Sequence, residues 1–552
     1  MNHFMRDMTS AVDLTEEKGT GAVRRQRPLY VDLLPPCNSA CPAGENIQAW
    51  LGLAQAGKFR AAWEALIVDN PMPAVHGRVC YHPCETGCNR KDLDSAVSIH
   101  AVERFLGDLA TQQVWATPKS QSPTGKRVLV IGAGPSGLAA AYHLARLGHQ
   151  VEIHEAGPLP GGMLHFGIPA YRLPRGDLMK EIGRIEQMGV TFVLNHRVDD
   201  VLAEQQAGRF DAVFIAIGAH LSKHVDIPAR DAIKVLDAVS MLRDVETGEA
   251  PRLGRRVVIY GGGNTAMDAA RTARRLGVEE AMIVYRRDRA HMPAHDFEAD
   301  EALAEGVKIK WLTSIKAIDG ADLTVEVMRV DEAGHAQPTG QFETLEADTV
   351  VLALGQDADS GFLRKIPEIV HQPDGTVVVG KNMMTGHAGI FAGGDMVPAE
   401  RSVTVATGHG KKAARYIDAW LSGTEYVPPP KHAVIEFSGL NLPIYTDAAR
   451  SAQKELSAHA RVTGFDEVVS GLSEAEALRE AQRCLSCGNC FECDNCFAAC
   501  PEDAIRKLGP GLRYEIKDAL CTGCAVCVDQ CPCHAMEMVA DAEQDPAIQL
   551  SE

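Results

Sequence analysis

Short apolar runs rich in β-branched residues, each ending in glycine, recur through the middle of this chain. Residues 128–131 run into the turn Gly132-x-Gly134-x-x-Gly137, which is followed by the helical pattern LAAAYHLARLG and a second strand, QVEIHE. The order repeats at RVVIYGGGNTAMD (residues 256–268) and AMIVYRR. Both stretches predict a strand–turn–helix–strand unit of a parallel α/β sheet. FIAIG, ending at Gly218, and VLALG, ending at Gly355, predict strand-to-loop crossings that insert the second unit into the first. Further on, Pro428-Pro429-Pro430 predicts an extended bridge, and GLSEAEALREAQR an acidic helix leading into Cys484. The polar start of the chain, without an apolar secretory core, reads as a loose arm.

Composition adds limits. Of 552 residues, 45% are hydrophobic and 23% charged, which suits several globular domains. No run of 18 apolar residues occurs, so no membrane span is predicted and the cytoplasm is the expected location. The formal net charge of -18 disfavours nucleic acid and anionic membranes as partners. It fits either ordinary solubility or docking on a basic protein.

The sixteen cysteines change the picture most. Five lie between Cys37 and Cys88 and eleven between Cys484 and Cys533, while residues 89–483 hold none. Clustering at two- and three-residue spacings implies metal–thiolate chemistry rather than a disulfide scaffold. Cys490-x2-Cys493-x2-Cys496-x3-Cys500-Pro501 recurs as Cys521-x2-Cys524-x2-Cys527-x3-Cys531-Pro532. That is the run of a two-cluster bacterial ferredoxin, in which the fourth cysteine serves the other cluster. Cys490, Cys493, Cys496 and Cys531 are expected to hold one [4Fe–4S] cluster, and Cys500, Cys521, Cys524 and Cys527 the other. Cys533 is a spare thiol.

The glycine turns carry the remaining chemistry. Gly132 makes the tight turn, Gly134 admits a pyrophosphate at the helix N-terminus, Gly137 packs helix on strand, and Glu155 is placed to bind ribose hydroxyls. Gly394 and Asp395 of FAGGD, with Gly162 and Met163 of GGM, are expected on the flavin of an FAD, although Gly161-Gly162 also reads as a plain turn. In the second unit Gly261, Gly263 and Ala266 fill the three glycine slots, with Asn264 between them. Arg286 and Arg287 stand where an acid would select NAD. Guanidinium there suits a 2′-phosphate, so NADPH is favoured over NADH, with Arg289 assisting; alternatively these arginines are only solvated surface. No catalytic acid or base is expected, and His165 reads as a packed or exposed residue.

GAGPSG, GGM, GIPAYRLP (residues 167–174), GGGNTAMD, YRR and AGGD occur in this order. In them the chain resembles the glutamate synthase small-subunit family, whose module also forms the N-terminal part of dihydropyrimidine dehydrogenase. The resemblance covers roughly residues 35–420. It implies a two-dinucleotide fold of the glutathione-reductase kind behind a helical domain with two [4Fe–4S] clusters. The chain departs from the family in its first cysteine run, of which only Cys37-x3-Cys41-Pro42 remains, while EAQRCLSCG looks like the missing part moved to residues 480–488. The expectation is that Cys484 and Cys487 fold back to join Cys37 and Cys88. Cys41, Cys80 and Cys84 would then share a cluster with Glu103, the ligand implied by the family alignment. A partner-supplied ligand, a single N-terminal cluster, or service of Cys484 and Cys487 to the ferredoxin module are the alternatives.

The implied architecture is multidomain. It comprises a flexible arm (1–34), a helical [4Fe–4S] domain (35–122), an FAD domain in two parts (123–254 and 346–423) around an α/β NAD(P) domain (255–345), a linker (424–483) and an α+β 2[4Fe–4S] module (484–540). The expected function is an electron-transfer subunit passing electrons from NAD(P)H through FAD and clusters to a redox partner or large catalytic subunit in a hetero-oligomer. The alternatives are an NAD(P)H:ferredoxin-type oxidoreductase, a subunit of a 2-oxoacid oxidoreductase, or a non-enzymatic electron store.

Overall fold

The computed structural model describes residues 24–541 apart from 224–226, 231–233 and 444. Two parallel five-stranded sheets form its centre. In the first, the spatial order is Ile390–Ala392, Ala212–Ile215, Arg127–Ile131, Gln150–His154 and Thr191–Val193. Helices on both faces explain why its strands are almost wholly apolar: Val128, Leu129, Val130, Val213, Phe214 and Ile390 are fully buried.

The second sheet runs Lys308–Lys310, Glu280–Val284, Arg256–Tyr260, Thr349–Leu352 and Lys234–Asp237. Its outer and inner additions, Lys234–Asp237 and Thr349–Leu352, fall in segments that the sequence pattern gives to the first domain. The crossing lies beside Gly218 and Gly355, where Leu221–Ser222 pairs antiparallel with Gln356–Asp357, rather than at the bounds 254 and 346. The reason is register: 349–352 runs alongside 257–260, and 234–237 alongside 349–352, so both strands complete the second sheet. A largely antiparallel sheet (Ala336–Glu346, Asp322–Val330, Thr313–Asp319, Ala229–Arg230) covers this domain.

The helical N-terminal domain packs Trp50, Trp63, Leu51, Leu66 and Leu106 into one core. Two of its helices, Pro73–Val79 and Ile99–Gln112, touch at glycine. A Cβ on Gly107 would lie 2.3 Å from the Ala74 backbone nitrogen, so only hydrogen fits there. The acidic helix Glu474–Gln482 begins with a capping box between Ser473 and Glu476. It lays Ala477 and Ala481, with Leu472, into that same N-terminal core. Residues 424–483 are therefore a return strap. Its end is pinned by Arg483, 2% exposed, which donates to Glu480 (2.9 Å), Asp94 (3.1 Å) and the Ser95 carbonyl (2.7 Å).

The arm also differs from the sequence reading. Residues 1–23 lie outside the described residues, but Gln26–Tyr30 pairs antiparallel with Met536–Ala540 at the other end of the chain. Arg24, buried behind it, is ion-paired with Asp541 and donates to the Cys521 carbonyl (3.2 Å). A polar segment is held here because its backbone completes a sheet edge and its guanidinium finds three acceptors.

Where the N-terminal domain meets the first sheet domain, burial pushes the Glu181 carboxyl up to about 7, and the neighbouring Arg184 only partly offsets this. A raised acid contributes its full stability below its unfolded value, and that contribution is lost as pH rises through 7. Glu181→Gln is therefore expected to be more stable than the parent at pH 8, by about 2–3 kcal/mol, and to unfold at a higher temperature. Calorimetry should show the advantage vanish toward pH 5.

Candidate functional site

The first glycine turn begins at the carboxyl end of Arg127–Ile131 and feeds the helix Pro135–Arg146. Gly132 has φ +102°, and a Cβ on it would meet the Ala216 carbonyl at 2.5 Å. A Cβ on Gly137 would sit 1.9 Å from the Gly132 oxygen, whereas one on Gly134 would meet nothing within 4 Å. The turn is thus closed on its protein side and open at Gly134, where a pyrophosphate would approach the helix N-terminus. Glu155 accepts from the Ala133 and Gly157 backbones, each at 2.8 Å, and braces the turn.

Gly162 caps the short helix Met163–Phe166 and packs against the turn, its Cβ position 2.9 Å from Gly134. Gly394 and Asp395 form a helical turn beside Ser136, whose buried hydroxyl has no partner among the described residues. Burial raises Asp395 to about 6. An orphaned hydroxyl and a half-desolvated acid lining an open glycine turn fit the polar face of a flavin nucleotide. His165 is buried nearby, pushed down by burial and Arg175.

The second turn repeats this design. Gly261 (φ +150°) approaches the Ala353 carbonyl, a Cβ on Gly263 would have open space, and Asn264 begins the helix Asn264–Arg275 with Ala266 buried. Arg286 and Arg287 follow the next strand, and neither is paired with a carboxylate among the described residues. Arg289 is committed elsewhere, to Asp296 (3.2 Å) and Asp300 (2.7 Å), so its expected assistance is replaced by a local ion-pair network.

The cysteines gather into groups. Cys37, Cys88, Cys484 and Cys487 line one small cavity of about 20 Å³ together with Pro35, Leu51 and Arg90. Cys500, Cys521, Cys524 and Cys527 line a second of about 20 Å³. Cys490, Cys493 and Cys496 lie beside Cys531, close enough to perturb one another's ionisation. Cys41, Cys80 and Cys84 are neighbours of the buried Glu103 in the same sense. Glu103 accepts from Asn70 at 2.7 Å, as Glu45 does at 3.0 Å, and burial raises both acids.

Sulfurs in these groups receive N–H donors from two residues downstream: His82 to Cys80, Ser486 to Cys484 and Gly523 to Cys521, each at 3.4 Å. Burial pushes Cys80 and Cys487 up to about 12, and a bound cation would offset this by favouring their thiolates. Convergent sulfurs with inward N–H donors are a donor set that fits iron–sulfur cubanes. Cys533 sits 3.8 Å from Cys531, and Cys524 alone among the sixteen cysteines is exposed.

Several residues at these sites carry no signal readable from spacing. Thr404, on the helix Val403–Ser422 of the first sheet domain, donates to Cys80 at 3.1 Å. The side-chain amide of Asn264 donates to the Tyr81 hydroxyl at 2.7 Å, and Tyr81 stacks on His295 at 3.8 Å. The cysteine loop therefore touches the second glycine turn directly. Arg172 of the AYRLP segment bonds Asp268 of NTAMD at 2.8 Å, and Tyr171 lies 3.6 Å from the Arg275 guanidinium. Tyr30, on the N-terminal strand, packs against the buried cluster that contains Cys496, its buried hydroxyl without an oxygen or nitrogen partner among the described residues.

Comparison with known proteins agrees with this geometry. Residues 126–410 match the model of the pyridine nucleotide–disulphide oxidoreductase family, and residues 17–115 that of the dihydropyrimidine dehydrogenase domain II, 4Fe-4S cluster. The NADP(+)-dependent formate dehydrogenase subunit beta of Moorella thermoacetica is 36% identical, over 79% of this chain and 68% of its own. The NADPH-Fe(3+) oxidoreductase subunit beta of Geobacter sulfurreducens is 34% identical, over 80% and 73%. The glutamate synthase [NADPH] small chain of Azospirillum brasilense is 31% identical, over 72% and 88%. This chain therefore belongs to the pyridine nucleotide–disulphide oxidoreductase family, in the group with the glutamate synthase small chain, and is an oxidoreductase that joins dinucleotide-binding domains to a 4Fe-4S domain.

Proposed function

We propose that the chain is the electron-input subunit of a larger oxidoreductase. It would take two electrons from NADPH at the second glycine turn and conduct them singly to a partner through four [4Fe–4S] sites in series. A flavin held between nicotinamide and clusters supplies the change from hydride to single-electron transfer. Gly132, Gly134, Gly137, Glu155, Gly162, Met163, Gly394 and Asp395 hold FAD. Gly261, Gly263, Asn264 and Ala266 hold the nicotinamide dinucleotide, with Arg286 and Arg287 on its 2′-phosphate.

The cluster sites follow from which thiols meet. Cys41, Cys80 and Cys84 with Glu103 lie nearest the flavin, because Thr404 reaches Cys80 and a Cβ on Gly408 would lie 2.2 Å from the Pro42 carbonyl. Cys37, Cys88, Cys484 and Cys487 come next. Two residues beyond Cys487, Cys490 starts the third set with Cys493, Cys496 and Cys531, and Tyr445 packs between these two groups. Cys500, Cys521, Cys524 and Cys527 form the outermost set in a ferredoxin-like module. Its exposed Cys524 marks the face for a partner's own redox centre.

The observation that carries this reading is the meeting of Cys37 and Cys88 with Cys484 and Cys487 around one cavity. It turns two separate cysteine regions into one continuous path. The names of the Moorella and Geobacter relatives, both subunits, support a partner that is a catalytic subunit. Flow in either direction is compatible with the arrangement, and no helix among the described residues is long and apolar enough to cross a membrane.

Anaerobic titration with substoichiometric NADPH, followed by absorbance and EPR, tests the whole proposal: flavin and cluster signals should bleach together. Bleaching of flavin alone would sink the series. Arg286→Ala/Arg287→Ala is expected to raise the KM for NADPH about tenfold or more, the loss of a charge-assisted contact worth about 1.5–3 kcal/mol, and to leave that for NADH unchanged. Cys484→Ser should lower iron by one cluster equivalent and keep NADPH-driven flavin bleaching, while the C-terminal EPR signals stay oxidised. Tyr30→Phe should lower the midpoint potential of the Cys496 cluster, because an O–H donor to a cluster thiolate stabilises the reduced state.

A further inference from the structure

At the far edge of the first sheet, away from every cysteine group, two imidazoles converge on one carboxylate. His154 ends the strand Gln150–His154, His196 follows the strand Thr191–Val193, and Glu204 lies on the helix Val201–Gly208. His154 Nδ1 is 3.3 Å and His196 Nε2 3.2 Å from the same Glu204 Oε1. The three donor atoms all lie within 4.8 Å of one another. His154 is 5% exposed, and both nitrogens are sealed from solvent without a hydrogen-bond partner among the described residues. The carboxylate oxygen is near enough to each nitrogen for a hydrogen bond but off its axis.

Leaving two buried ring nitrogens unsatisfied is unfavourable. A cation between the three atoms removes that cost. Tetrahedral zinc, with bonds of about 2.0–2.2 Å to nitrogen and oxygen, sets its ligand atoms about 3.3–3.5 Å apart. The two measured edges match that spacing. The other nitrogen of His154 is bonded to Glu152 Oε1 at 2.7 Å. A carboxylate on the far nitrogen is the usual outer partner of a zinc-bound histidine, fixing its tautomer and raising its basicity. The donors are two nitrogens and one oxygen with no thiol, which selects against iron–sulfur chemistry and for a zinc-class divalent ion.

We propose that His154 Nδ1, His196 Nε2 and Glu204 Oε1 bind one divalent zinc-class ion, with Glu152 as the outer partner of His154. The fourth position is open to water. The ion staples two strand ends and a helix directly beneath Glu155, whose own carbonyl accepts the His196 backbone N–H at 2.9 Å and whose side chain braces the first glycine turn. The site rests on these residues alone and stands or falls independently of the electron path.

The test uses the full-length protein with flavin and clusters in place, freed of loose metal by a mild chelator and titrated anaerobically with zinc sulfate. Elemental analysis should find a single zinc per chain with iron unchanged, and zinc-edge X-ray absorption should show only nitrogen and oxygen ligands near 2.0–2.2 Å. Glu152→Gln should weaken zinc binding about 10–100-fold. His196→Ala/Glu204→Gln should abolish it while flavin content stays the same. Failure to retain zinc, a sulfur-containing shell that would place the ion in a thiol pocket, or undiminished binding by the double variant would each overturn the proposal. If that variant fails to fold, the ligand shell of the parent protein decides the question.

Discussion

The contact between Arg483 and Glu480, and the N-terminal backbone they grip, fixes the rest of the site. Glu480 is fully buried and accepts from the Ser98 backbone, while Arg483 reaches Asp94, Ser95 and Ala96. A buried charge pair of this kind tolerates neither loss of one partner nor a slipped register, because either leaves a charge unpaired away from water. Cys484 is the next residue. Its position beside Cys37 and Cys88, and hence the start of the C-terminal cysteine array, is set by where that pair is satisfied.

A second set of contacts orients the nucleotide domain. Arg172 is held between Asp268 and Glu298, and Tyr171 under the guanidiniums of Arg271 and Arg275, which themselves close on Glu305. These residues belong to the segments AYRLP and NTAMD. Both are motifs of sequence, and through Tyr171, Arg172 and Asp268 they lock one domain against the other. The Tyr81–Asn264 bond adds the helical domain to this lock. Three domains thus meet around the two glycine turns, and the distances between them are short because the contacts are direct.

The glycine turns were legible because their physics is local. A strand, a turn that only glycine can make and a helix N-terminus fit within about a dozen residues, so spacing alone identifies them. The doubled cysteine run is legible for the same reason. The crossings at Gly218 and Gly355 were legible too, but the sheet to which Lys234–Asp237 and Thr349–Leu352 belong was not, since these are ordinary apolar strands whose sheet is chosen by pairing partners more than a dozen residues away. Nor was the strand Gln26–Tyr30, which has almost no hydrophobic pattern of its own and exists because Met536–Ala540 offers it an edge.

The sequence by itself determined the chemistry: two dinucleotide turns, a thiol-rich pair of regions and the family to which they belong. Tertiary structure decided which thiols meet, that the strap folds back on the N-terminal core, and that Tyr30, Thr404 and Tyr445 stand against cysteines far from them in the chain. Motifs report the local backbone geometry that a ligand imposes, which neighbouring residues encode. Long-range convergence depends on buried contacts such as Arg483–Glu480, whose partners are chosen only when the chain closes on itself.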